Sequence, residues 1–159
     1  MYRRILVALD GSELAERALP HAEALAERSQ GSVTLLRATL PLERIAATTA
    51  VLESGGTVDP AGVVKAERAE ATGYLEDVAD RLRGRGVEVG WEQPEDDPAE
   101  AIIACARLMG ADLIAMTTHG RGGLARLVFG SVADAVLRQA PCPVLLVRAD
   151  EAASHTAQG

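Results

Sequence analysis

The sequence predicts an α/β fold with a doubly wound, five-stranded parallel sheet and helices on both faces. Five short apolar segments alternate with segments of helical periodicity, which is the order expected of parallel strands joined by crossover helices. Most of the short segments are apolar at every position, as strands buried on both faces are. The 159 residues are the usual size of one domain. We expect a single domain over 1–149 and a disordered polar tail over 150–159.

The first predicted strand is the apolar run Ile5–Leu9, which ends at the turn Asp10–Ser12. Ser12 is a favourable cap for the helix that follows, and Gly31 is predicted to end that helix. Pro20 lies inside it and removes one backbone hydrogen bond, so a bend or an early break is expected there.

The second predicted strand is Val33–Leu36. Residues 40–60 show no clear periodicity, and a loop of that length in a compact domain is often a lid or a mobile segment. A long helix is predicted over 61–85, closed by Gly84 and Gly86.

The third predicted strand alternates, because Val87, Val89 and Trp91 are separated by polar residues and glycine. One of its faces is therefore exposed to solvent, which indicates an edge strand. The segment Asp97–Glu100 has the pattern of a capping box with proline at the first helical position, and Gly110 is predicted to end the helix.

The last part of the chain contains the segment most suggestive of function. A fourth strand, Leu113–Met116, runs into a glycine-rich loop. Ser131 is predicted to begin the last helix, and Val144–Val147 is the last strand.

Composition excludes several classes of function. The formal net charge is −7, so phosphate backbones and anionic membrane surfaces are repelled, and neither nucleic acid nor a membrane is an expected partner. Aromatic residues make up only 3% of the chain, which leaves few rings for bases to stack on. Cys105 and Cys142 show no metal-ligand spacing and are interpreted as core or near-core thiols. Together with the absence of a signal-peptide pattern, this predicts a cytoplasmic protein.

The glycine-rich loop has the chemistry that a phosphate group requires. Phosphate is bound by unpaired backbone N–H groups at the positive end of a helix dipole, and glycine lets the backbone approach closely. Gly130 and Ser131 open a helix and meet both requirements, and the Ser131 hydroxyl can either cap the helix or reach a phosphate oxygen. Arg121 adds a planar set of donors suited to phosphate.

A plainer interpretation remains open for each of these residues. The glycines are also consistent with a simple surface loop, Ser131 with an ordinary cap, and Asp10 with a turn residue. His119 is better explained by a hydrogen bond within the loop than by a role on phosphate. Asp134 and Arg138 are four residues apart and are expected to pair along the helix surface.

Four segments of the chain resemble those of a known protein family. The runs Ile5–Ser12, Ala111–Ile114, Thr118–Leu124 and Gly130–Val147 are similar to those of nucleotide-binding universal stress proteins, in order and over residues 2–148. The ATP-binding members show the pattern Gly-x2-Gly-x9-Gly-Ser/Thr. Gly120, Gly130 and Ser131 match it, whereas Thr117 stands where the pattern has its first glycine.

The resemblance implies a fold, a ligand and a set of contacts. An acidic residue at a strand end beside a phosphate loop, such as Asp10, can help to hold Mg²⁺ through water. The resemblance implies the strand order 3-2-1-4-5 of the adenine nucleotide alpha hydrolase-like folds and an ATP ligand. It places Asp10 against ribose or adenine, the backbone of Ala38 and Thr39 against the adenine edge, and the loop around the phosphates. The implied nucleotide-binding residues are Leu9, Asp10, Gly11, Ser12, Ala38, Thr39, Met116, Thr117, His119, Gly120, Arg121, Gly130, Ser131 and Val132.

Two hypotheses follow for the function. The first is a regulatory, nucleotide-binding stress protein in which hydrolysis is slow or absent, since the sequence shows no evident general base. The second is a dimeric stress or scaffold protein of the same fold that does not bind ATP, with Thr117 marking the loss. The resemblance also implies a homodimer joined through the last strand, at Val144, Leu145, Leu146 and Val147.

Overall fold

The computed structural model describes residues 2–44, 59–118 and 130–148. Within them, five strands form one parallel sheet in the order β3-β2-β1-β4-β5. The predicted fold class and strand order are therefore confirmed. The strands are β1 (Arg4–Ala8), β2 (Ser32–Leu36), β3 (Glu88–Glu92), β4 (Leu113–Thr117) and β5 (Val144–Val147). The α-helices are α1 (Leu19–Ser29), α2 (Pro60–Arg83), α3 (Pro98–Met109) and α4 (Ser131–Gln139).

Each face of the sheet carries its own hydrophobic core. On one face, Ile5 and Val7 pack with α1 and α2. On the other, Leu6 and Ile114 pack with α3 and α4. Alternate residues of β1 thus point into different cores, which is why the central strands are apolar at every position. Burying one such side chain stabilises the fold by about 1.5–3 kcal/mol.

The segment that contains Pro20 is divided into two parts. A short 3-10 helix, Ala15–Ala18, precedes α1, and Pro20 lies in the first turn of α1, where its missing N–H has no cost. The expected early break is therefore present, and it lies before the proline. At the other end, the left-handed position is taken by Gln30, with φ 51°, and not by Gly31 as the sequence suggested. Gly31 is needed for a different reason, since a Cβ there would lie 2.5 Å from the carbonyl oxygen of Arg3.

The third strand and the helix after it agree with the sequence in their main features. β3 lies at an edge of the sheet, as its alternation predicted. Asp97 caps α3 by accepting a hydrogen bond from the Ala99 N–H at 3.1 Å. The expected reciprocal bond from Glu100 is replaced, because the Asp97 N–H donates to Asp96 Oδ1 at 2.7 Å. Gly110, with φ 60°, ends the helix as predicted.

The remaining expectations concern single residues and two segments that lie wholly or largely outside the described residues. Cys105 and Cys142 are free thiols of intermediate burial, and burial raises the pKa of both. Arg138 and Asp134 pair along α4 at 2.9 Å, as predicted. The predicted loop 40–60 falls largely, and the tail 150–159 entirely, outside the described residues. Among the residues described, no helix is long and apolar enough to cross a bilayer.

Candidate functional site

The carboxyl ends of β1, β2 and β4 meet at one edge of the sheet. Ala8 pairs with Leu36, and the Leu9 N–H donates to the Leu36 carbonyl at 2.8 Å. On the other side of β1, Val7 pairs with Ala115, so Thr117 lies at the same edge. In doubly wound sheets, ligands bind beyond these strand ends, where the strand order reverses. Here the reversal occurs between β1 and β4.

The turn after β1 is shaped by hydrogen bonds from the Asp10 carboxylate. Asp10 Oδ1 accepts from the Ser12 N–H at 2.9 Å and from the Ser12 hydroxyl at 2.5 Å. Gly11, at φ 83°, takes a conformation that residues with a Cβ rarely adopt. The Ser12 hydroxyl accepts from the Ala15 N–H at 3.2 Å, at the start of the 3-10 helix. The N-cap position of that helix is Leu14, and not Ser12 as the sequence suggested. Leu9 is buried in the core, at 6% exposure.

Beyond β2, the two residues expected to face adenine differ in their backbone bonds. The Thr39 N–H donates to the Pro94 carbonyl at 2.9 Å, and its carbonyl accepts from Asp96 at 3.1 Å. No hydrogen bond within the described part of the chain uses the N–H or carbonyl of Ala38. The Thr39 hydroxyl is buried and has no hydrogen-bond partner among the residues described. Of these two residues, Ala38 is therefore the one whose backbone groups have no partner within the described part of the chain.

The end of β4 and the start of α4 are held together. The Gly130 N–H donates to the Thr118 carbonyl at 3.0 Å, and the Thr118 N–H donates to the Val147 carbonyl at 3.0 Å. Met116 and Thr117 are buried, at 5% and 7% exposure. Thr117 is therefore part of the strand, and its side chain lies in the protein interior.

The N-cap residue of α4 is Gly130, which has no side chain that could cap the first turn. The first internal bond of the helix runs from the Asp134 N–H to the Gly130 carbonyl at 3.0 Å, which leaves the N–H groups of residues 131–133 without helical acceptors. Ser131 is exposed, and Val132 is partly buried against the core. Gly130 has an ordinary φ of −57°, and a Cβ there would be 3.6 Å from the nearest atom. The described residues would therefore accommodate a Cβ at this position.

The structure thus brings together most of the predicted site residues. The residues 9–12, 38–39, 116–117 and 130–132 lie around the same edge of the sheet. His119, Gly120 and Arg121 lie outside the described residues. No three His, Cys, Asp or Glu side chains of the described ranges form a group able to hold a metal ion.

Sequence reasoning missed a buried arginine at this edge. Arg37 directly follows β2 and is 4% exposed. Its Nη1 and Nη2 donate to the two carboxylate oxygens of Glu70 on α2, at 3.0 and 2.6 Å. The position of a charged residue directly after an apolar strand could have identified it, because such a side chain must find a partner where the strand ends.

Arg37 also contacts the turn after β1 and an aromatic ring. A Cβ on Gly11 would lie 2.8 Å from Arg37 Cζ, and this carbon lies 5.2 Å from the centre of the Tyr74 ring. The Tyr74 hydroxyl oxygen is buried and makes no hydrogen bond of standard geometry with the described residues. Burial, followed by the negative charges of Glu16 and Asp10, raises the pKa of Tyr74, while Arg37 acts in the opposite direction.

Comparison with known proteins finds one family that matches nearly the whole chain. A model of the universal stress protein family matches residues 1–148. A universal stress protein of Thermus aquaticus is 36% identical over 149 residues, which cover 93% of this chain and 100% of that protein. Universal stress protein YxiE of Bacillus subtilis is 30% identical over 152 residues, which cover 93% of this chain and 100% of that protein.

Solved structures share the fold. The structure of hypothetical protein MJ0577 superposes with a TM-score of 0.79 at 28% identity, covering 95% of this chain and 99% of that one. Two others were solved with ligands: a universal stress protein in complex with cAMP (TM-score 0.65, 23% identity, 94% and 98% covered) and one from Archaeoglobus fulgidus in complex with dAMP (TM-score 0.63, 23% identity, 91% and 97% covered). At these identities the two complexes show the shared fold alone.

Proposed function

We propose that this chain, which belongs to the universal stress protein family, is a regulatory protein that binds ATP at the carboxyl edge of its sheet. The observation that carries the proposal is the start of α4. Its N-cap residue is Gly130, which has no side chain to occupy the first N–H groups, and no described atom lies closer than 3.6 Å to a Cβ placed there. Glycine is an ordinary N-cap residue, and here it also leaves the first N–H groups of the helix open to the close approach of a ligand.

The phosphate end of the site is assigned to the loop and the start of α4. The N–H groups of Ser131 and Val132 and the dipole of α4 supply positive potential without a charged side chain. This suits a chain with a net charge of −7, because the attraction is local. Gly120 and Arg121 are proposed to complete the phosphate contacts from the loop.

The adenine end is assigned to the end of β2. An adenine edge needs one donor and one acceptor, and the N–H and carbonyl of Ala38 have no partners among the described residues. The Thr39 backbone is engaged by residues 94 and 96, so we restrict the backbone contact to Ala38. Asp10 then faces the ribose, where its carboxylate can accept from a hydroxyl or hold Mg²⁺ through water.

The ligands of two solved relatives support an adenine nucleotide. Those proteins were crystallised with cAMP and with dAMP, which share the adenine base and a phosphate. We propose a triphosphate, and not only a monophosphate, because of the glycine-rich loop and because the N-cap of α4, Gly130, has no side chain.

A homodimer through β5 is part of the same proposal. Pro143 and Val147 direct their carbonyls to β4, so the backbone groups of Val144 and Leu146 point away from the sheet. No described strand pairs with that edge. Pairing with a second copy would satisfy these groups and cover the edge.

The test begins with the purified protein. It is denatured, the supernatant is separated by chromatography to detect released adenine nucleotide, and the apo protein is titrated with ATP and Mg²⁺ by calorimetry. The variant Gly130→Val places a branched side chain at the helix start and should abolish binding. Gly90→Val is the matched control, because a Cβ at Gly90 meets nothing within 4 Å and β3 accepts valine.

Each outcome decides between the two hypotheses. Binding that is lost in Gly130→Val and kept in Gly90→Val supports the assignment. If no nucleotide is released and none binds at millimolar ATP, the proposal is wrong and the non-binding dimer takes its place. Binding that survives Gly130→Val would contradict the placement of the phosphates.

A further inference from the structure

We propose that Arg37 is a positioning residue of the nucleotide site, which holds the Asp10–Ser12 turn in its binding shape. The inference rests on the proposed function, and it adds a residue that the nucleotide-binding pattern does not contain. Arg37 lies beneath the turn, and Glu70 and Tyr74 fix its guanidinium from α2.

The contact between Arg37 and the turn is close. Because a Cβ on Gly11 would lie 2.8 Å from both Cζ and Nη1 of Arg37, the guanidinium lies directly against the Gly11 backbone. Gly11 stands between Asp10 and Ser12, which are joined by two hydrogen bonds. A shift of the guanidinium would therefore move the carboxylate that is assigned to the ribose.

The guanidinium is well suited to a fixed position. Both of its contacts with Glu70 are short, and a two-point pair with a carboxylate fixes orientation as well as distance. At 4% exposure, Arg37 has little freedom to take another rotamer. A lysine would keep the charge but lose the planar, two-point geometry.

The charges around Tyr74 show that the same cluster includes Asp10. Glu16, Asp10 and Arg37 all act on the Tyr74 hydroxyl, so the two acids and the arginine lie within electrostatic reach of one point. Because Glu70 balances the charge of Arg37, Arg37 acts on the site through its position and not through net charge.

The test is a double-mutant cycle on ATP affinity in the full-length protein. Calorimetry measures the Kd for Mg·ATP in the wild type, Arg37→Lys, Asp10→Asn and the double variant. We expect Arg37→Lys to weaken binding roughly tenfold in the wild-type background and less than about twofold in Asp10→Asn, because coupled residues are not additive. Arg85→Lys is the control, because Arg85 also pairs with a glutamate, Glu23, but its side chain is 61% exposed. The Kd of this variant for Mg·ATP should equal that of the wild type.

A second readout needs no nucleotide. The Ser12 N–H is bonded to Asp10 Oδ1, so its hydrogen exchange reports the shape of the turn. We expect faster exchange at Ser12 in Arg37→Lys, with the amides of residues 84–87 unchanged. Should Arg37→Lys fail to fold, Glu70→Gln keeps the arginine and should give the same effects at smaller size.

The outcomes separate this inference from the proposed function. If the wild type binds ATP and Arg37→Lys binds equally well, Arg37 has no positioning role while the proposed function stands. Equal losses in both backgrounds would show a general effect on the fold and would also overturn the inference. A wild type that binds no ATP overturns the proposed function and this inference with it.

Discussion

Arg37 and Glu70 form a two-point ion pair in which one partner is buried and the other is not. The contacts are 2.6 and 3.0 Å, while the side chains are 5% and 57% exposed. The free-energy cost of removing a charge from water is therefore borne mainly by Arg37, while the Glu70 side chain stays largely hydrated. Removing one partner or the other should have unequal effects on stability.

The first prediction concerns this asymmetry. Glu70→Ala leaves a buried guanidinium without its two-point acceptor and should lower the free energy of unfolding by about 2–3 kcal/mol. Arg37→Met removes the charge, keeps an unbranched side chain beside Tyr74, and leaves a carboxylate that water can solvate, so the loss should be about 1 kcal/mol. Urea denaturation measures both, with the exposed Glu76→Ala on the same helix as control. Equal losses would contradict this account of the pair.

The second prediction compares two glycines with nearly the same backbone. Gly11 and Gly86 have φ of 83° and 89°, so alanine costs about 1–2 kcal/mol at either one. At Gly86 a Cβ meets nothing within 4 Å, whereas at Gly11 it meets the Arg37 guanidinium at 2.8 Å. Because Glu70 and Tyr74 hold that guanidinium, Gly11→Ala should cost about 1–2 kcal/mol more than Gly86→Ala. Equal shifts of the urea midpoint would mean that Arg37 moves aside freely.

The third prediction concerns the end of α1. Gln30 takes a left-handed conformation, so Gln30→Gly should stabilise the protein by about 0.5–1 kcal/mol. Gly31→Ala should destabilise it by about 1–3 kcal/mol, because the new Cβ would lie 2.5 Å from the backbone of Arg3. The midpoint temperatures of thermal unfolding of the two variants should therefore shift in opposite directions from that of the wild type. A stable Gly31→Ala variant would show that β1 and the end of α1 can separate.

The fourth prediction concerns stability at alkaline pH. Burial and the charges of Glu16 and Asp10 raise the pKa of Tyr74 above its ordinary value of 10.0, against the opposing effect of Arg37. Below pH 10 the phenol is neutral in both states. Above pH 10 the unfolded state releases a proton that the folded state keeps, so the free energy of unfolding falls by up to about 1.4 kcal/mol per pH unit.

Tyr74→Phe should remove this alkaline loss. At neutral pH it should cost less than about 1 kcal/mol, because the buried hydroxyl makes no hydrogen bond of standard geometry within the described residues. Denaturation at a series of pH values measures the slope, and the exposed Tyr2→Phe serves as control. An unchanged slope in Tyr74→Phe would assign the alkaline loss to other groups.

The fold could be predicted from the sequence because each strand has a local signal in its pattern of apolar residues. Runs such as Ile5–Leu9 are apolar throughout, and their order along the chain limits the topology. The strand order itself was predicted from the family resemblance, because no local sequence pattern determines which strands are neighbours in the sheet.

The site could be predicted only in part, for a physical reason. Glycines and helix starts are local features, so Gly11, Gly130 and Ser131 could be found along the chain. Arg37 becomes informative only when α2 brings Glu70 and Tyr74 to it from more than 30 residues away. The same applies to Thr39, whose backbone is occupied by residues 94 and 96, a pairing that no feature of residues 38–39 indicates.

The fifth prediction concerns the open edge of β5. Since the backbone of Leu146 points away from β4, Leu146→Pro removes an outward N–H and no bond within the sheet. Leu145 lies between the two residues that bond to β4 and shares their direction, so Leu145→Pro breaks the ladder. We expect Leu146→Pro to be a folded monomer and Leu145→Pro to be strongly destabilised, as judged by analytical ultracentrifugation and circular dichroism. A wild type that sediments as a monomer, or a Leu146→Pro variant that remains a dimer, would exclude β5 as the interface.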